Sequence, residues 1–213
     1  MTCNTILFDF DGTLVDTKND VWQGLNYTRK QFGLAPLTAK EVTHVLGPDK
    51  AEFLELVYPD STDKEKDDFL AIFQDYYFER CLVSTQFFPG MLDVVKSLNG
   101  MKLAVASNKP KAFIEKILKG LKADHFFSCL ISPEDVEQAK PHPEMVLKAM
   151  NVLGTTPEKT LLVGDTVKDV LAGKAAGVAV CFAQYGYGSL NGLQDTVPDY
   201  IIEQPEALLN IIK

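Results

Sequence analysis

TILFDFDGTLVDT, residues 5–17, is the segment from which the architecture of this 213-residue chain can be worked out. The run Thr5–Phe10 has the length and apolar character of a strand covered on both faces, and Gly12 permits a sharp turn after it. Four similar runs follow: Lys102–Ser107, Ser128–Ser132, Thr160–Gly164 and Val178–Phe182. Stretches of helical length separate the later runs: Pro110–Leu118, Pro143–Leu153 and Val167–Ala176. This alternation predicts an α/β fold, a parallel sheet with helices on both faces.

Residues 16–85 interrupt the alternation. Apolar residues fall there at helical spacing in three groups, which begin at Val21, Phe53 and Phe69, and no strand stands out. We therefore expect a helical domain inserted at residues 16–85, with residues 1–15 and 86–213 forming the core domain.

The two acids of the first segment are candidates for chemistry. At a repeat of two residues, Asp9 and Asp11 would share one face if the strand continued. Two carboxylates this close repel each other unless a proton or a cation lies between them, and an oxygen-ligated Mg²⁺ ion would meet that need. A solvated turn is the alternative, because Asp-Gly is common in turns.

Polar residues also follow the other predicted strands, and ligands bind beyond the carboxyl ends of an open parallel sheet. Ser107-Asn108-Lys109 precedes a predicted helix start, where a hydroxyl, an amide and free backbone N–H groups suit a phosphate; a serine helix cap is the alternative. Lys140, in a loop that Pro141 and Pro143 stiffen, could neutralise a phosphate oxygen, with Lys109 as a rival. Asp165 and Asp169 add two acids at the same edge, a density that favours a divalent cation.

The composition excludes several classes of protein. Hydrophobic residues make up 46% of the chain, which rules out a wholly disordered protein. A formal net charge of −8 argues against a nucleic-acid partner. No apolar run has the length of a membrane span and no secretory leader is recognisable, so we expect no membrane partner and a cytoplasmic protein. The four cysteines are far apart and predict neither disulfides nor a metal site.

Taken in chain order, four groups of residues resemble the motifs of the haloacid dehalogenase superfamily: Asp9-x-Asp11-Gly12-Thr13, Ser107, Lys140-Pro141 and Gly164-Asp165-x-x-x-Asp169. The resemblance spans nearly the whole chain and implies a Rossmann-like core with an inserted helical cap domain. A narrower resemblance, to the phosphoglycolate phosphatase branch, rests on Gly33-Leu34, Val45-Leu46-Gly47 and Ser107-Asn108-Lys109-Pro110.

The resemblance implies a role for each matched residue. Asp9 would attack phosphorus and become an aspartyl-phosphate, while Asp11 would protonate the leaving oxygen and then deprotonate water. Mg²⁺ would be held by Asp9, the backbone carbonyl of Asp11 and Asp165, with Asp169 in support. The implied phosphate-binding residues are Thr13, Ser107, Asn108 and Lys140, and the implied cap residues that meet substrate are Gly47 and Lys50.

The expected function is therefore Mg²⁺-dependent hydrolysis of a small phosphorylated metabolite, a phosphate monoester, with 2-phosphoglycolate as a candidate. An aspartate at position 11 favours a phosphatase or a phosphomutase over the dehalogenating relatives. Two alternatives stay open: a sugar phosphomutase on the same scaffold, and a non-catalytic regulatory protein that retains the fold.

Overall fold

A computed structural model describes residues 3–191, 193 and 196–212. Its strands are β1 Thr5–Phe8, β2 Val15–Asp16, β3 Gln86–Phe87, β4 Lys102–Ala106, β5 Cys129–Ile131, β6 Thr160–Gly164, β7 Ala179–Ala183 and β8 Tyr200–Ile202. Its α-helices are α1 Lys18–Gln31, α2 Ala39–Val42, α3 Lys50–Val57, α4 Asp63–Arg80, α5 Met91–Ser97, α6 Lys111–Gly120, α7 Glu144–Leu153 and α8 Val167–Ala175.

Six parallel strands form the central sheet in the order β5-β4-β1-β6-β7-β8. Strand β1 lies inside the sheet, paired with β4 on one side and β6 on the other. Its successive side chains enter different apolar clusters: Ile6 and Phe8 join the helices α5 and α6, whereas Leu7 joins α7 and α8. The predicted α/β fold, with helices on both faces of a parallel sheet, is confirmed.

The predicted inserted helical cap is also present, and its helices α1 to α4 carry a shared apolar interior. Helix α1 packs along α4, and Gly24 of α1 lets the ring of Phe73 come within 3.1 Å of where a Cβ would stand. The chain enters and leaves this block through an antiparallel ribbon of β2 and β3. The boundaries predicted at residues 15/16 and 85/86 fall at this ribbon and stay predictions.

Asp20, at the start of α1, connects the beginning of the inserted helical block to its end. Its buried carboxylate accepts hydrogen bonds from the backbone N–H and hydroxyl groups of both Ser84 and Thr85, at 2.5–3.0 Å. Backbone and side-chain donors from the end of the insert therefore depend on one side chain near its beginning.

Replacing Asp20 with alanine is expected to lower the free energy of unfolding by about 1–3 kcal/mol, because the donors of Ser84 and Thr85 lose their buried acceptor. Urea denaturation measures this change. The matched control is Asn19→Ala, whose exposed side chain also contacts Ser84, and we expect it to change stability by less than about 0.5 kcal/mol. Equal effects of the two substitutions would contradict the assignment.

Several element bounds differ from those predicted. Strand β1 ends at Phe8 rather than Phe10, so the alternation considered for the two acids does not continue through them. Strand β8, helix α5 and the β2–β3 ribbon were not predicted, since each is short and depends on pairing or packing with distant residues. Pro110 and Pro143 precede α6 and α7 as cap residues instead of opening them. No helix within the described ranges combines the length and apolarity that a membrane crossing needs.

Candidate active site

Three neighbouring strands bring the predicted acids together. Strands β1, β4 and β6 run side by side in parallel, so Asp9, Ser107 and Asp165, which follow them directly, lie at one edge of the sheet. Carboxylate oxygens of Asp9, Asp165 and Asp169 lie within 4.8 Å of one another, and all three residues are buried. Residues separated by more than 150 positions in the chain thus form one acidic cluster.

Burial and mutual repulsion make this cluster electrostatically unfavourable. Burial, followed by the charge of Asp169, raises the pKa of Asp9 to about 6. Burial, followed by the charges of Asp9 and Asp169, raises the pKa of Asp165 to about 8. A divalent cation bound by these oxygens would relieve the repulsion.

Lys140 offsets part of the negative charge. Its buried ammonium group lies 2.5 Å from Oδ1 of Asp169 and 2.9 Å from Oδ1 of Asp9. Burial alone would lower the pKa of Lys140, but Asp169 and Asp9 together raise it above the ordinary value, so the side chain stays charged. The contact with Asp9 is an ion pair without hydrogen-bond geometry, which leaves Asp9 Oδ1 buried with no hydrogen-bond partner among the described residues.

The carboxylates of Asp165 and Asp169 each accept hydrogen bonds from a threonine. Oδ2 of Asp169 accepts hydrogen bonds from the N–H and hydroxyl groups of Thr166 at 3.0 and 2.6 Å, so this acid also caps helix α8. Oδ1 of Asp165 accepts a hydrogen bond from the Thr13 hydroxyl at 2.9 Å. The structure thus places the Thr13 hydroxyl on Asp165 rather than at the open side of the cluster.

The segment Tyr185–Gly188, in which the sequence analysis recognised no functional signal, supplies the other contacts of Asp165. The backbone N–H groups of Tyr187 and Gly188 donate to its Oδ2 at 2.8 and 3.2 Å. A Cβ at Gly186 would lie 2.3 Å from the carbonyl oxygen of Gly12, so glycine is needed for this close approach. The alternation Tyr185-Gly186-Tyr187-Gly188, directly after a predicted strand, was the available signal.

Asp11 lies beside the cluster in a different environment. Its Oδ2 pairs with the ammonium group of Lys109 at 3.0 Å, and its Oδ1 accepts a hydrogen bond from the Thr17 hydroxyl at 2.6 Å. Lys109 also donates to the hydroxyl of Tyr77, on cap helix α4, at 3.0 Å. The two lysines that the sequence left as rivals therefore occupy separate positions, Lys140 on Asp9 and Lys109 on Asp11.

Asn108 connects the core to the cap. Its Nδ2 donates to the carbonyl oxygens of Gly47 and Lys140, and its Oδ1 accepts from the Lys140 N–H, each at 3.0 Å. Gly47 has a φ of +96°, which favours glycine. Lys50 is largely exposed, and its ammonium group lies 3.6 Å from Asp67.

A cavity of about 480 Å³ separates the sheet edge from the cap. Its base is formed by core residues: Asp9, Asp11, Ser107, Asn108 and Lys109. The cap contributes Gly47 and Lys50, among others, to the opposite side. Every predicted site residue except Thr13, Lys140, Asp165 and Asp169 lines this cavity, and those four are buried.

Comparisons with known proteins agree on one family. The sequence model of the family described as "Haloacid dehalogenase-like hydrolase" matches residues 6–183. A phosphoglycolate phosphatase of Aquifex aeolicus is 36% identical over 210 residues, which cover 97% of this chain and 95% of that protein. A protein named Pyrophosphatase PpaX, of Anoxybacillus flavithermus, is 33% identical over 214 residues, which cover 100% of this chain and 98% of that protein. A crystal structure described as a predicted phosphoglycolate phosphatase from Haemophilus somnus superposes with a TM-score of 0.92 at 27% identity. The superposition covers 100% of this chain and 99% of that chain.

Proposed function

Because this chain belongs to the haloacid dehalogenase-like hydrolase family and is a phosphatase, we propose that it hydrolyses a phosphate monoester with Mg²⁺ through an aspartyl-phosphate on Asp9. One observation carries the proposal. The carboxylate of Asp9 lines the cavity, belongs to a cluster of three acids and keeps an oxygen without a hydrogen bond.

The donor set fits Mg²⁺. Three buried carboxylates supply hard oxygen ligands within 4.8 Å of one another, and the single ammonium group of Lys140 compensates only part of their negative charge. We assign Asp9 and Asp165 as direct ligands together with the backbone carbonyl of Asp11, and Asp169 as a supporting acid. The bound ion would neutralise negative charge on the phosphoryl group and on the attacking carboxylate.

The chain's own residues then divide the reaction. An oxygen of Asp9 forms a bond to phosphorus while the bond between phosphorus and the ester oxygen breaks, and protonated Asp11 gives its proton to the departing ester oxygen. Asp11 next takes a proton from the water that attacks phosphorus, which releases inorganic phosphate and restores Asp9. Ser107 and Lys140 are proposed to hold the phosphoryl oxygens, as positioning and charge neutralisation dominate phosphoryl transfer.

Two further residues of the predicted phosphate site act indirectly in this proposal. Asn108 fixes the Lys140 backbone through two hydrogen bonds and donates a third to Gly47, and Thr13 fixes Asp165. Gly47 and Lys50 stay candidates for contact with the substrate's organic part, since both line the cavity. A cytoplasmic location also stays a prediction.

The relatives do not agree on a substrate. Their names indicate phosphoglycolate for one group and pyrophosphate for another, at similar identity to this chain. We therefore take 2-phosphoglycolate, which the sequence resemblance suggested, as the reference compound of an assay panel. Phosphate release from a panel of monoesters with Mg²⁺ tests the proposal, and formation of an isomerised sugar phosphate without phosphate release would favour a phosphomutase instead.

Removal of Mg²⁺ should have a pH-dependent effect on stability. Both Asp9 and Asp165 have a pKa raised above the ordinary 3.8, to about 6 and about 8. The contribution of such groups to stability is lost as pH rises through these values, because the ionised acids repel each other. Mg²⁺ binds the ionised forms, so we expect it to raise the melting temperature more at pH 8 than at pH 5.

Thermal unfolding with Mg²⁺ or with a chelator, at both pH values, measures this difference. The comparison at constant pH cancels the titration of all other groups. An Asp165→Asn variant should lose most of the gain at pH 8. An equal gain at both pH values would contradict the metal site.

A further inference from the structure

The cavity changes character with distance from the catalytic acids. Its base is polar, but the cap and helix α6 contribute a wall of apolar side chains: Val45, Leu46, Phe53, Leu70, Phe73 and Phe113. Part of this wall is a continuous row of rings. The ring centroids of Phe53 and Phe73 are 5.5 Å apart, those of Phe73 and Tyr77 also 5.5 Å, and those of Tyr77 and Phe113 5.0 Å.

The positively charged side chains that line the cavity are poorly placed to bind a second anionic group of a substrate. Among the described residues that line the cavity, the cationic ones are Lys50 and Lys109. Lys109 is paired with Asp11 and lies over the ring of Tyr77, 4.8 Å from its centroid. Lys50 has a side chain that is 66% exposed and an ammonium group 3.6 Å from Asp67. A carboxylate or second phosphate packed against the apolar wall would therefore be desolvated, because Lys109 is already paired with Asp11 and Lys50 is largely exposed to solvent.

Two acids make the binding of a second anionic group still less favourable. Asp49 and Glu134 line the cavity in addition to Asp9 and Asp11. Beyond the phosphoryl position, the lining therefore has no surplus of positive charge that could attract a second anion.

Size points the same way. The cavity volume of about 480 Å³ lies within the range of roughly 300–1,000 Å³ that is typical of ligand-binding pockets. The cavity is therefore larger than 2-phosphoglycolate or pyrophosphate would fill. An apolar group in that space would remove both its own surface and the wall's surface from water.

We infer that the substrate is a phosphate monoester of an uncharged, largely apolar alcohol, whose organic part packs on the wall formed by Leu46, Leu70, Phe73 and Phe113. This inference rests on the proposed phosphatase function and narrows its substrate. The ester oxygen lies at Asp11, and the organic group extends from it towards the cap.

A series of monoalkyl phosphates from methyl to hexyl phosphate tests the inference on the unaltered chain. Their alcohols have nearly equal basicity, so the chemical step changes little along the series and apolar contact is the variable. We expect kcat/KM to rise about two- to fourfold per methylene group. Hexyl and benzyl phosphate should exceed 2-phosphoglycolate and pyrophosphate.

A matched pair of variants locates the contact. Leu70→Lys places a cation in the wall, and we expect it to flatten the alkyl series and to raise 2-phosphoglycolate relative to hexyl phosphate at least tenfold. Ile72→Lys is the control, because Ile72 lies on the same helix, α4, but is 37% exposed and outside the lining. It should leave the series unchanged. Melting temperatures verify that both variants fold.

The outcomes separate the inference from the function beneath it. A flat alkyl series in the unaltered chain, or a higher kcat/KM for 2-phosphoglycolate or pyrophosphate, overturns the apolar substrate and leaves the phosphatase mechanism standing. Hydrolysis of no compound with Mg²⁺ present overturns both. The alkyl series decides the question even where Leu70→Lys does not fold.

Discussion

Replacing Asp9 with asparagine is expected to lower kcat by at least about 10⁴-fold, the scale seen when a covalent nucleophile is removed. An amide cannot form the aspartyl-phosphate, and the remaining residues can bind substrate but cannot open this route. We also expect the melting temperature without Mg²⁺ at pH 8 to stay the same or rise. The raised pKa of Asp9, about 6, means that its ionised form destabilises the fold at that pH, and asparagine carries no charge.

The control for this substitution is Asp93→Asn on helix α5, a side chain that is 86% exposed and does not line the cavity. Phosphate release and thermal unfolding are measured for both variants. Substantial turnover by Asp9→Asn would disprove covalent catalysis at this residue. A collapse of its stability would show instead that the carboxylate is needed for folding.

Replacing Asp11 with asparagine should have an effect that depends on the leaving group. For an alkyl phosphate we expect kcat to fall about 10²–10⁴-fold, because the leaving oxygen receives no proton. p-Nitrophenyl phosphate needs no such proton, so the variant should form the aspartyl-phosphate and then stall, since no base activates the water. The substitution leaves the backbone carbonyl of residue 11 in place, so we expect Mg²⁺ binding to persist.

Rapid quenching followed by mass spectrometry detects the trapped phosphoenzyme, and a burst of p-nitrophenol counts it. A merely structural role for Asp11 would slow both substrates equally. Equal losses, or the absence of a phosphoenzyme, would therefore contradict the assignment of Asp11 as acid and base.

The geometry gives a reason for two lysines in one site. Lys140 is buried between Asp9 and Asp169, whereas Lys109 lies between Asp11 and Tyr77 of the cap. The carboxylates of Asp9 and Asp11 are thus compensated by separate lysines. Since Tyr77 belongs to α4, the position of the cap is coupled to the surroundings of Asp11.

Tyr187 links the acidic cluster to the connection between core and cap. Its N–H group donates to Asp165, and its hydroxyl donates to Asp16 at 2.6 Å while it accepts from the Thr17 N–H at 2.8 Å. Asp16 belongs to the β2–β3 ribbon through which the chain enters the cap. One side chain therefore contacts both the acidic cluster and the connection to the cap.

The sequence by itself determined the family, the parallel sheet, the inserted helical block and the positions of the acids along the chain. These features depend on local patterns, namely apolar strand runs, helical spacing and short motifs, which survive without knowledge of distant contacts. The order of the acids in the chain was enough to assign Asp9, Asp11, Asp165 and Asp169 to one edge of the sheet as a prediction.

Only the tertiary structure decided what surrounds those acids. The partners of Lys109 and Lys140, the Thr13 contact with Asp165 and the Tyr185–Gly188 segment each join residues far apart in the chain. The apolar wall of the cavity likewise arises where cap and core meet. Burial, charge compensation and close backbone approach are properties of residues packed in space, so no periodicity along one chain can specify them.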